Sequence, residues 1–366
     1  MVERNEPQGL EGQNDAKAAG GRPRQRLDEA GRPVTAVVLM SGGLDSRLAA
    51  RLMLEQGVRV VALNFDSVFC HAPSGEARAS AAAEASRALG VELEVVNTTR
   101  ELIELVKDPP HSHGRHMNPC IDCRIMQFRT ARRYMDEIGA HFLVTGEVLG
   151  QRPMSQRRDA MRQIEREAGV EGLVVRPLSA KHLPPSVPEE KGWVDREQLL
   201  ALSGRSRKPQ MELAERFGIR DYPQSAGGCL LTYEGFANKV DDLIKHKPDA
   251  DVDDFELLKV GRHFRLPGGG KAVVGRDEGE NERLRNLARA GDVVYDRADT
   301  VGPIVLLCDA ADPNDEALAA ALCVSHSKLV GAAFGRVRYW SAANEARMRA
   351  MQVAPLEQAV VDALRV

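Results

Sequence analysis

The string Ser41-Gly42-Gly43-Leu44-Asp45-Ser46 sits between a β-branched run at 34–40 (VTAVVLM) and a helical pattern at 47–56 (RLAARLMLEQ). Two adjacent glycines let a backbone turn tightly and come close to an anion. The loop amides and the positive end of the next helix then face that anion. Ser41 and Ser46 add hydroxyl donors, and Asp45 can hold a metal ion or a polar group of a nucleotide. This is a phosphate cradle without the lysine of the G-x-x-x-x-G-K-[ST] loop. The second chemical signal is sulfur. Asn118-Pro119-Cys120-Ile121-Asp122-Cys123 carries a C-x-x-C pair, and Ser225-Ala226-Gly227-Gly228-Cys229 brings a distant third thiol in a glycine loop. Three chemistries fit these thiols. One is an iron–sulfur cluster on three cysteines with one iron left open. Another is a catalytic pair, in which one cysteine carries a persulfide and another resolves it through a disulfide. The third is structural zinc, with His111, His113 or His116 as the fourth ligand. The glycines beside Cys229 suit close approach of backbone to another group. Cys308 and Cys323 read as core residues, and Cys70, just after a strand, is a reserve candidate.

The elements that must position these groups alternate. Strands are expected at 34–40, 59–65, 91–97 and 141–145, with a fifth led by 172–175, and helices at 47–56, 77–89 and 131–138. Strand–helix alternation gives a doubly wound parallel sheet, and ligands of such sheets bind at the carboxyl ends of the strands. The early glycine loop, Asp66-Ser67 and Thr145-Gly146-Glu147 all fall at that edge.

Composition sets the outer limits. A chain of 366 residues suggests about two domains plus extras. Its 43% hydrophobic content fills real cores, and no apolar run nears the ~20 residues of a membrane span. The N-terminus shows no secretory h-region, and six cysteines in so long a chain make no disulfide framework, so the expected location is the reduced cytoplasm. Net charge of −3 excludes a general nucleic-acid coat. Locally the balance differs: from Arg115 to Arg166 there are ten arginines against six acids. Arg124 follows the C-x-x-C directly, and Arg129, Arg132 and Arg133 share a face at helical spacing. Arg205-Ser206-Arg207-Lys208 forms a second basic knot at the start of a helix. Such groups grip phosphates and position a polyanion rather than select its sequence. Aromatics make up only 4%, so base stacking on many rings is not expected. Residues 1–32 carry six acids and six bases without hydrophobic period and read as a disordered tail, whose Arg22-Pro23-Arg24-Gln25-Arg26 cluster could touch RNA. A polar, acidic linker is read at 246–254. Beyond it, strands at 255–266, 271–275 and 303–308 and helices at 278–290 and 314–323 make a small α+β domain. A helical segment is read at 341–366. Ser325-His326-Ser327-Lys328 is a polar cluster that could meet RNA.

The S-G-G-x-D-S string after a first strand resembles the PP-loop ATP pyrophosphatases, which cleave ATP to AMP and pyrophosphate. Thr145-Gly146-Glu147-Val148-Leu149-Gly150-Gln151 resembles the T-G-[ED]-x-L-G-Q segment of 4-thiouridine synthetases. The C-x-x-C with a distant third cysteine resembles cluster-dependent PP-loop tRNA thiolases, whereas bacterial 2-thiouridylases have one cysteine in the first loop. The strings Val260-Gly261-Arg262-His263-Phe264 and Val274-Gly275-Arg276-Asp277-Glu278-Gly279-Glu280-Asn281 resemble the NFACT RNA-binding domain. The resemblance implies an adenine nucleotide alpha hydrolase-like PP-loop domain at 33–245 and an NFACT-like domain at 255–340. It implies ATP with Mg²⁺ at Ser41, Gly42, Gly43, Asp45, Ser46, Asp66, Gly146 and Gln151. It further implies a [4Fe–4S] cluster on Cys120, Cys123 and Cys229, with Asp45 and the three cysteines catalytic, and tRNA held by Arg124, Arg129, Arg132, Arg133, Arg205, Arg207 and Lys208. The implied reaction is adenylation of a tRNA uridine carbonyl oxygen, then sulfur transfer from sulfide or a persulfide carrier. Two alternatives stand beside it: a PP-loop ligase or amidotransferase acting on a small carboxylate, and a non-enzymatic iron–sulfur protein that binds RNA or senses redox state.

Overall fold

The computed structural model describes residues 23–70, 76–222, 228–310, 312–327 and 333–366. Residues 1–22 of the expected tail, Ser225, Ala226 and Gly227 of the third-thiol loop, and Lys328 lie outside the described residues. The first unit runs β1 (Thr35–Leu39), α1 (Leu44–Glu55), β2 (Arg59–Asp66), α2 (Glu76–Leu89), β3 (Glu92–Asn97), α3 (Thr99–Lys107), α4 (Cys120–Glu137), β4 (Phe142–Thr145), α5 (Arg158–Ala168), β5 (Val174–Val175), α6 (Val187–Glu190), α7 (Lys208–Arg216) and α8 (Glu234–His246). Its five strands form one parallel sheet in the order β3-β2-β1-β4-β5. Every residue of central β1 is buried, because helices cover both faces and β-branched side chains suit a strand enclosed on both sides. One face packs on α1 through Leu48, Ala49 and Met53, and the other on α4 and α5 through Phe128, Ala131 and Ile164. Strand order reverses between β1 and β4, and at such a reversal the loops leaving the carboxyl ends part to open a crevice. The expected doubly wound sheet is the one observed.

Three local expectations change. Residues 23–32 do not hang as a tail. Arg26 N–H donates to Gly57 O at 2.9 Å, Leu27 bridges Pro33, and Asp28 meets His141 Nε2 at 3.2 Å. The helix expected at 131–138 starts eleven residues earlier, at Cys120, so the C-x-x-C occupies the first turn of α4 rather than a loop. Residues 246–254 are packed: Ala250 is buried and its carbonyl accepts from Lys107 Nζ at 3.0 Å.

The second unit comprises α9 (Val252–Leu257), β6 (Arg262–Arg265), β7 (Lys271–Val274), α10 (Glu278–Leu287), β8 (Val293–Arg297), β9 (Val305–Cys308), α11 (Pro313–Ser325), β10 (Gly335–Ser341), β11 (Arg349–Val353) and α12 (Gln358–Leu364). Its strands are antiparallel in the order β11-β10-β8-β9-β7-β6. Residues 252–257, expected as the end of the linker to 254 and the start of a strand from 255, are helical because Asp251 and Asp254 exchange side-chain and backbone bonds as a capping box. The stretch 341–366, expected helical, makes one 3-10 turn at Glu345–Arg347 and then supplies β11, which pairs with β10 from Gly335↔Val353 to Tyr339↔Arg349; α12 is its one α-helix. The two units join through α8. Phe236, Val240 and Leu243 pack on Phe69, Leu102 and Ile103, while Asp242 accepts from Arg265 and Lys271 of the second sheet at 2.8–3.0 Å. No described helix is long and apolar enough to cross a membrane.

Candidate functional site

The loop after β1 is jammed between two neighbours. Gly42 takes φ +77°, and a Cβ there would lie 2.5 Å from the Ala81 carbonyl carbon. Gly146, at the end of β4, would place a Cβ 2.5 Å from the Asp45 carbonyl carbon. Both glycines are therefore required by close backbone approach. Gly42 is buried, and its carbonyl accepts from Arg47 Nε at 2.8 Å, so it shapes the loop rather than faces the crevice. Gly43 caps α1. Ser46 Oγ donates to Gly43 O at 2.9 Å and stands 3.2 Å from Ser41 Oγ. Asp45 lies in the first turn of α1, where Oδ2 accepts from Gln151 Nε2 at 3.0 Å. Its Oδ1 is buried without a partner among the described residues, and burial raises its pKa above the ordinary aspartate value.

These groups open on a cavity of about 1060 Å³. Ser41, Gly43, Asp45, Ser46, Gly146 and Gln151 line one part, and Cys70, Cys120, Cys123 and Cys229 line another. Cys120 Sγ accepts from Asn118 Nδ2 at 3.1 Å, and Cys123 Sγ from Gln127 Nε2 at 3.6 Å. Cys70 and Cys229 form an isolated antiparallel bridge, fixed by Leu230 N–H donating to Phe69 O at 2.8 Å. With that bond on the flanking residues, the two cysteines occupy a non-hydrogen-bonded pair, where Cα atoms lie about 4.5 Å apart. Burial, then the neighbouring Cys123, push the Cys229 thiol up to about 12, with Cys120 and Cys70 adding to it. The three expected thiols thus share one cavity, and Cys70 joins them. Gly228 is not pressed by a neighbour; an added Cβ would meet only Thr232 Oγ1, at 3.8 Å. Cys308 and Cys323 are buried core residues, as expected. Of the histidines weighed as a fourth ligand, His111 is held by Asp122 at 2.6 Å and Glu167 at 3.1 Å, and His113 by Val106 O at 2.9 Å. Only His116 lines the cavity. The thiols suit an iron–sulfur cluster in kind and line one cavity, but among the described residues no three His, Cys, Asp or Glu side chains stand together as a metal-holding group.

Arg124 and Glu147 of the same lining belong to a buried ion network. Glu147, 5% exposed, accepts from Arg124 Nε at 3.0 Å and from Arg176 Nε at 2.9 Å, and Arg176 also pairs with Glu165. Burial opposes the charge on Glu147, yet Arg124 and Arg176 outweigh it and hold the carboxyl below the ordinary glutamate value. Arg124 therefore ties α4 to the end of β4. The other expected basic residues divide. Arg129 donates to Glu167 O at 3.2 and 2.9 Å, Arg132 pairs with Asp136 at 2.8 Å, and Arg133 reaches Thr130 Oγ1 at 3.1 Å; none lines the cavity. Arg205 and Lys208 are exposed away from it, whereas Arg207 lines it with Nε buried and without a partner among the described residues. Asp66 ends β2 outside the lining, its Oδ1 likewise without a partner among the described residues. Sequence reading passed over Arg115, Arg152 and Arg157, which line the cavity, although the arginine excess of 115–166 contained them.

Residues 31–182 match the family described as thiamine biosynthesis protein (ThiI), and residues 261–364 match the NFACT protein RNA binding domain. A tRNA-specific 2-thiouridylase MnmA of Xanthobacter autotrophicus is 27% identical over 258 residues, covering 65% of this chain and 62% of that protein. Another, of Syntrophotalea carbinolica, is 36% identical over 118 residues, covering 30% of this chain and 33% of that protein. The chain thus spans less than two thirds of the length of these relatives. The solved structure of U34-tRNA thiolase NcsA from Methanococcus maripaludis with its [4Fe-4S] cluster is similar at TM-score 0.33 and 18% identity, covering 62% of this chain and 70% of that one.

Proposed function

Taking as premise a chain that joins a ThiI-family PP-loop domain to an NFACT-type RNA-binding domain, we propose that it thiolates a tRNA uridine at the expense of ATP. The observation that carries this reading is the shared cavity: an anion-binding loop and four thiols face one space. Adenylation of the carbonyl oxygen and sulfur addition at the carbon that bears it must act in turn on one C–O group, so their groups must converge.

The amides at Gly43 and α1, with the Ser41 and Ser46 hydroxyls, hold the phosphates of ATP. The unpartnered Asp45 Oδ1 suits a Mg²⁺ ion on the departing pyrophosphate. The uridine carbonyl oxygen attacks the α-phosphorus, and pyrophosphate leaves. The oxygen, now bonded to AMP, has become a good leaving group. Sulfide adds to the ring carbon and gives up its proton, the C–O bond breaks, and AMP departs; where a persulfide carrier is the source, an external thiol reductant first releases its outer sulfur as sulfide and leaves as the disulfide. Cys120, Cys123 and Cys229 would hold a [4Fe–4S] cluster, which would supply an affinity for sulfide beside the nucleotide loop. Asn118 and Gln127 orient the two α4 sulfurs, and Arg124 fixes the helix that carries them. Arg115, Arg152 and Arg207 line the cavity with positive charge for the RNA backbone, while Arg157 is paired with Asp159 of the same lining; the proposed reaction belongs to the cytoplasm.

The test is incubation of purified protein with ATP, sulfide and unmodified tRNA, followed by mass spectrometry of the digested nucleosides. Thiolated nucleoside matched by AMP is expected. AMP formed only with a small carboxylate, or tRNA bound without turnover, overturns the reading in favour of the ligase or the sensor.

A further inference from the structure

Cys70 is the cavity's fourth thiol, and the thiolation scheme gives it no task. Main chain sets its place. β2 ends at Asp66, Cys70 N–H donates back to Ser67 O at 3.0 Å, and the chain then lies antiparallel to the segment that carries Cys229. Both flanks are packed. Phe69 and Leu231 are buried, and the Phe69 ring meets Phe236 and Phe255 edge-on, with centroids 6.4 and 5.4 Å apart. Cysteines on such flanks stay opposite each other at a spacing that a disulfide spans, with no search through chain conformations.

Cys229 therefore has two sets of thiol neighbours. Cys120 and Cys123 stand in the first turn of α4, where their sulfurs accept from the Asn118 and Gln127 amides. Of the thiols near Cys229, Cys123 acts on it most strongly, then Cys120 and Cys70, yet the main-chain bridge ties it to Cys70. Among the described residues no three of these thiols stand together as a metal-holding group. The set of three thus closes only when Cys229 commits to α4, and a bond to Cys70 holds it out of that set. A sulfur in a disulfide is neither a thiolate ligand nor a nucleophile.

We propose that Cys70 and Cys229 form a reversible disulfide that locks the sulfur half of the cavity under oxidising conditions and leaves the nucleotide loop able to bind ATP. The inference rests on the reading of Cys120, Cys123 and Cys229 as the sulfur site, and it gives that site a regulation. The oxidant is a low-molecular-weight disulfide. The thiolate of one cysteine attacks a sulfur of the reagent, the reagent's S–S bond breaks, and a small thiolate leaves. The thiolate of the other cysteine attacks the protein sulfur of this mixed disulfide, and the second small thiolate leaves. The pair gives up two electrons and two protons, and both end on the two small thiols released. A dithiol reductant reverses the steps with the same balance. A reducing compartment keeps the pair as thiols.

The experiment equilibrates the full chain with oxidised and reduced glutathione and divides each sample. Peptide mapping without reduction is expected to find a Cys70–Cys229 link that dithiothreitol removes. Thiolation of unmodified tRNA is expected to fall by about tenfold or more in the linked chain and to return with dithiothreitol. The rise in unfolding temperature that ATP gives is expected to persist. At a constant oxidised-to-reduced ratio, diluting the glutathione tenfold should raise the linked-to-open ratio about tenfold, because closing the pair releases two small thiols. In Cys70→Ser, shown folded by its unfolding midpoint, that dilution should change nothing, because a mixed disulfide releases one. No link at any ratio, or a Cys123–Cys229 link in its place, overturns the proposal. So does full thiolation by the linked chain, loss of the ATP shift on linking, or a dilution effect that survives in Cys70→Ser. A reduced chain that never thiolates tRNA sinks the thiolase reading alone, and the map and the dilution law still judge the pair. A reduced chain that thiolates but never forms the link sinks this inference alone.

Discussion

Replacing Glu147 by Gln tests whether the ion network holds the thiol helix in place. Gln keeps the shape of the side chain but turns an amide N–H₂ toward one of two guanidinium groups, so donor faces donor. Removing one partner of a buried ion pair costs about 3–5 kcal/mol, most of it the penalty on the charge left behind. Two features favour the low end. Arg176, 4% exposed, keeps Glu165, and the Arg124 side chain, 21% exposed, can draw on water and on Gln127 Oε1 at 2.7 Å. A loss of about 3 kcal/mol follows, and in a unit of this size that lowers the midpoint by about 6–12 °C.

The pH dependence carries the same signature. The folded-state pKa of Glu147 is depressed, so its contribution is present above the unfolded value near 4.5 and fades as pH falls through the lower folded value. Thermal unfolding of wild type should therefore lose stability below about pH 4.5, and Glu147→Gln should lose less over the same window. A double variant, Glu147→Gln/Arg124→Met, removes the stranded cation and should recover at least about 1 kcal/mol relative to the sum of the singles. The assay is calorimetry or circular dichroism from pH 3 to 8. A Glu147→Gln midpoint within about 1 °C of wild type, or strictly additive singles, refutes the reasoning.

Asp45→Asn should stabilise the chain by about 1 kcal/mol at pH 7, because burial favours the neutral form there, while slowing AMP formation by about a hundredfold or more. A midpoint that falls together with activity would contradict this. Gly146→Ala drives a Cβ to 2.5 Å from the Asp45 backbone and should abolish the rise in unfolding temperature that ATP gives the wild type; a normal ATP shift would count against the crevice. Mild oxidation with a disulfide-forming reagent should link Cys70 to Cys229, since cross-strand cysteines in a non-hydrogen-bonded pair meet the spacing a disulfide needs. Peptide mapping should find that link and lose it in Cys70→Ser; a Cys120–Cys123 link in its place would show that the bridge misjudges which thiols meet.

The nucleotide loop was legible because its signal is local. Ser41 to Ser46 joins a strand to a helix, and the glycines are demanded by neighbours one residue away from the chemistry. Even so, the residue types did not say which glycine faces the ligand: Gly42 turns its space toward Ala81, a contact made by α2 far along the chain. Arg124 was legible as a cation but not as a structural one, because its partner Glu147 comes from another strand end, and only packing decides whether a charge meets solvent or a carboxylate. The same limit kept Cys70 in reserve. Its place just after a strand put it at the ligand edge, but its partner comes only from the antiparallel bridge to Cys229, 159 positions away. The second sheet was half visible for a related reason. β8 ends on Tyr295, Asp296 and Arg297, β10 interleaves Arg336 and Arg338 with Val337, and β11 opens on Arg349, so each reads as polar surface until pairing shows which side chains face α11. Local rules thus located the cradle and the C-x-x-C. Long-range pairing decided which thiols oppose one another, and that pairing determines which two sulfurs can exchange a bond.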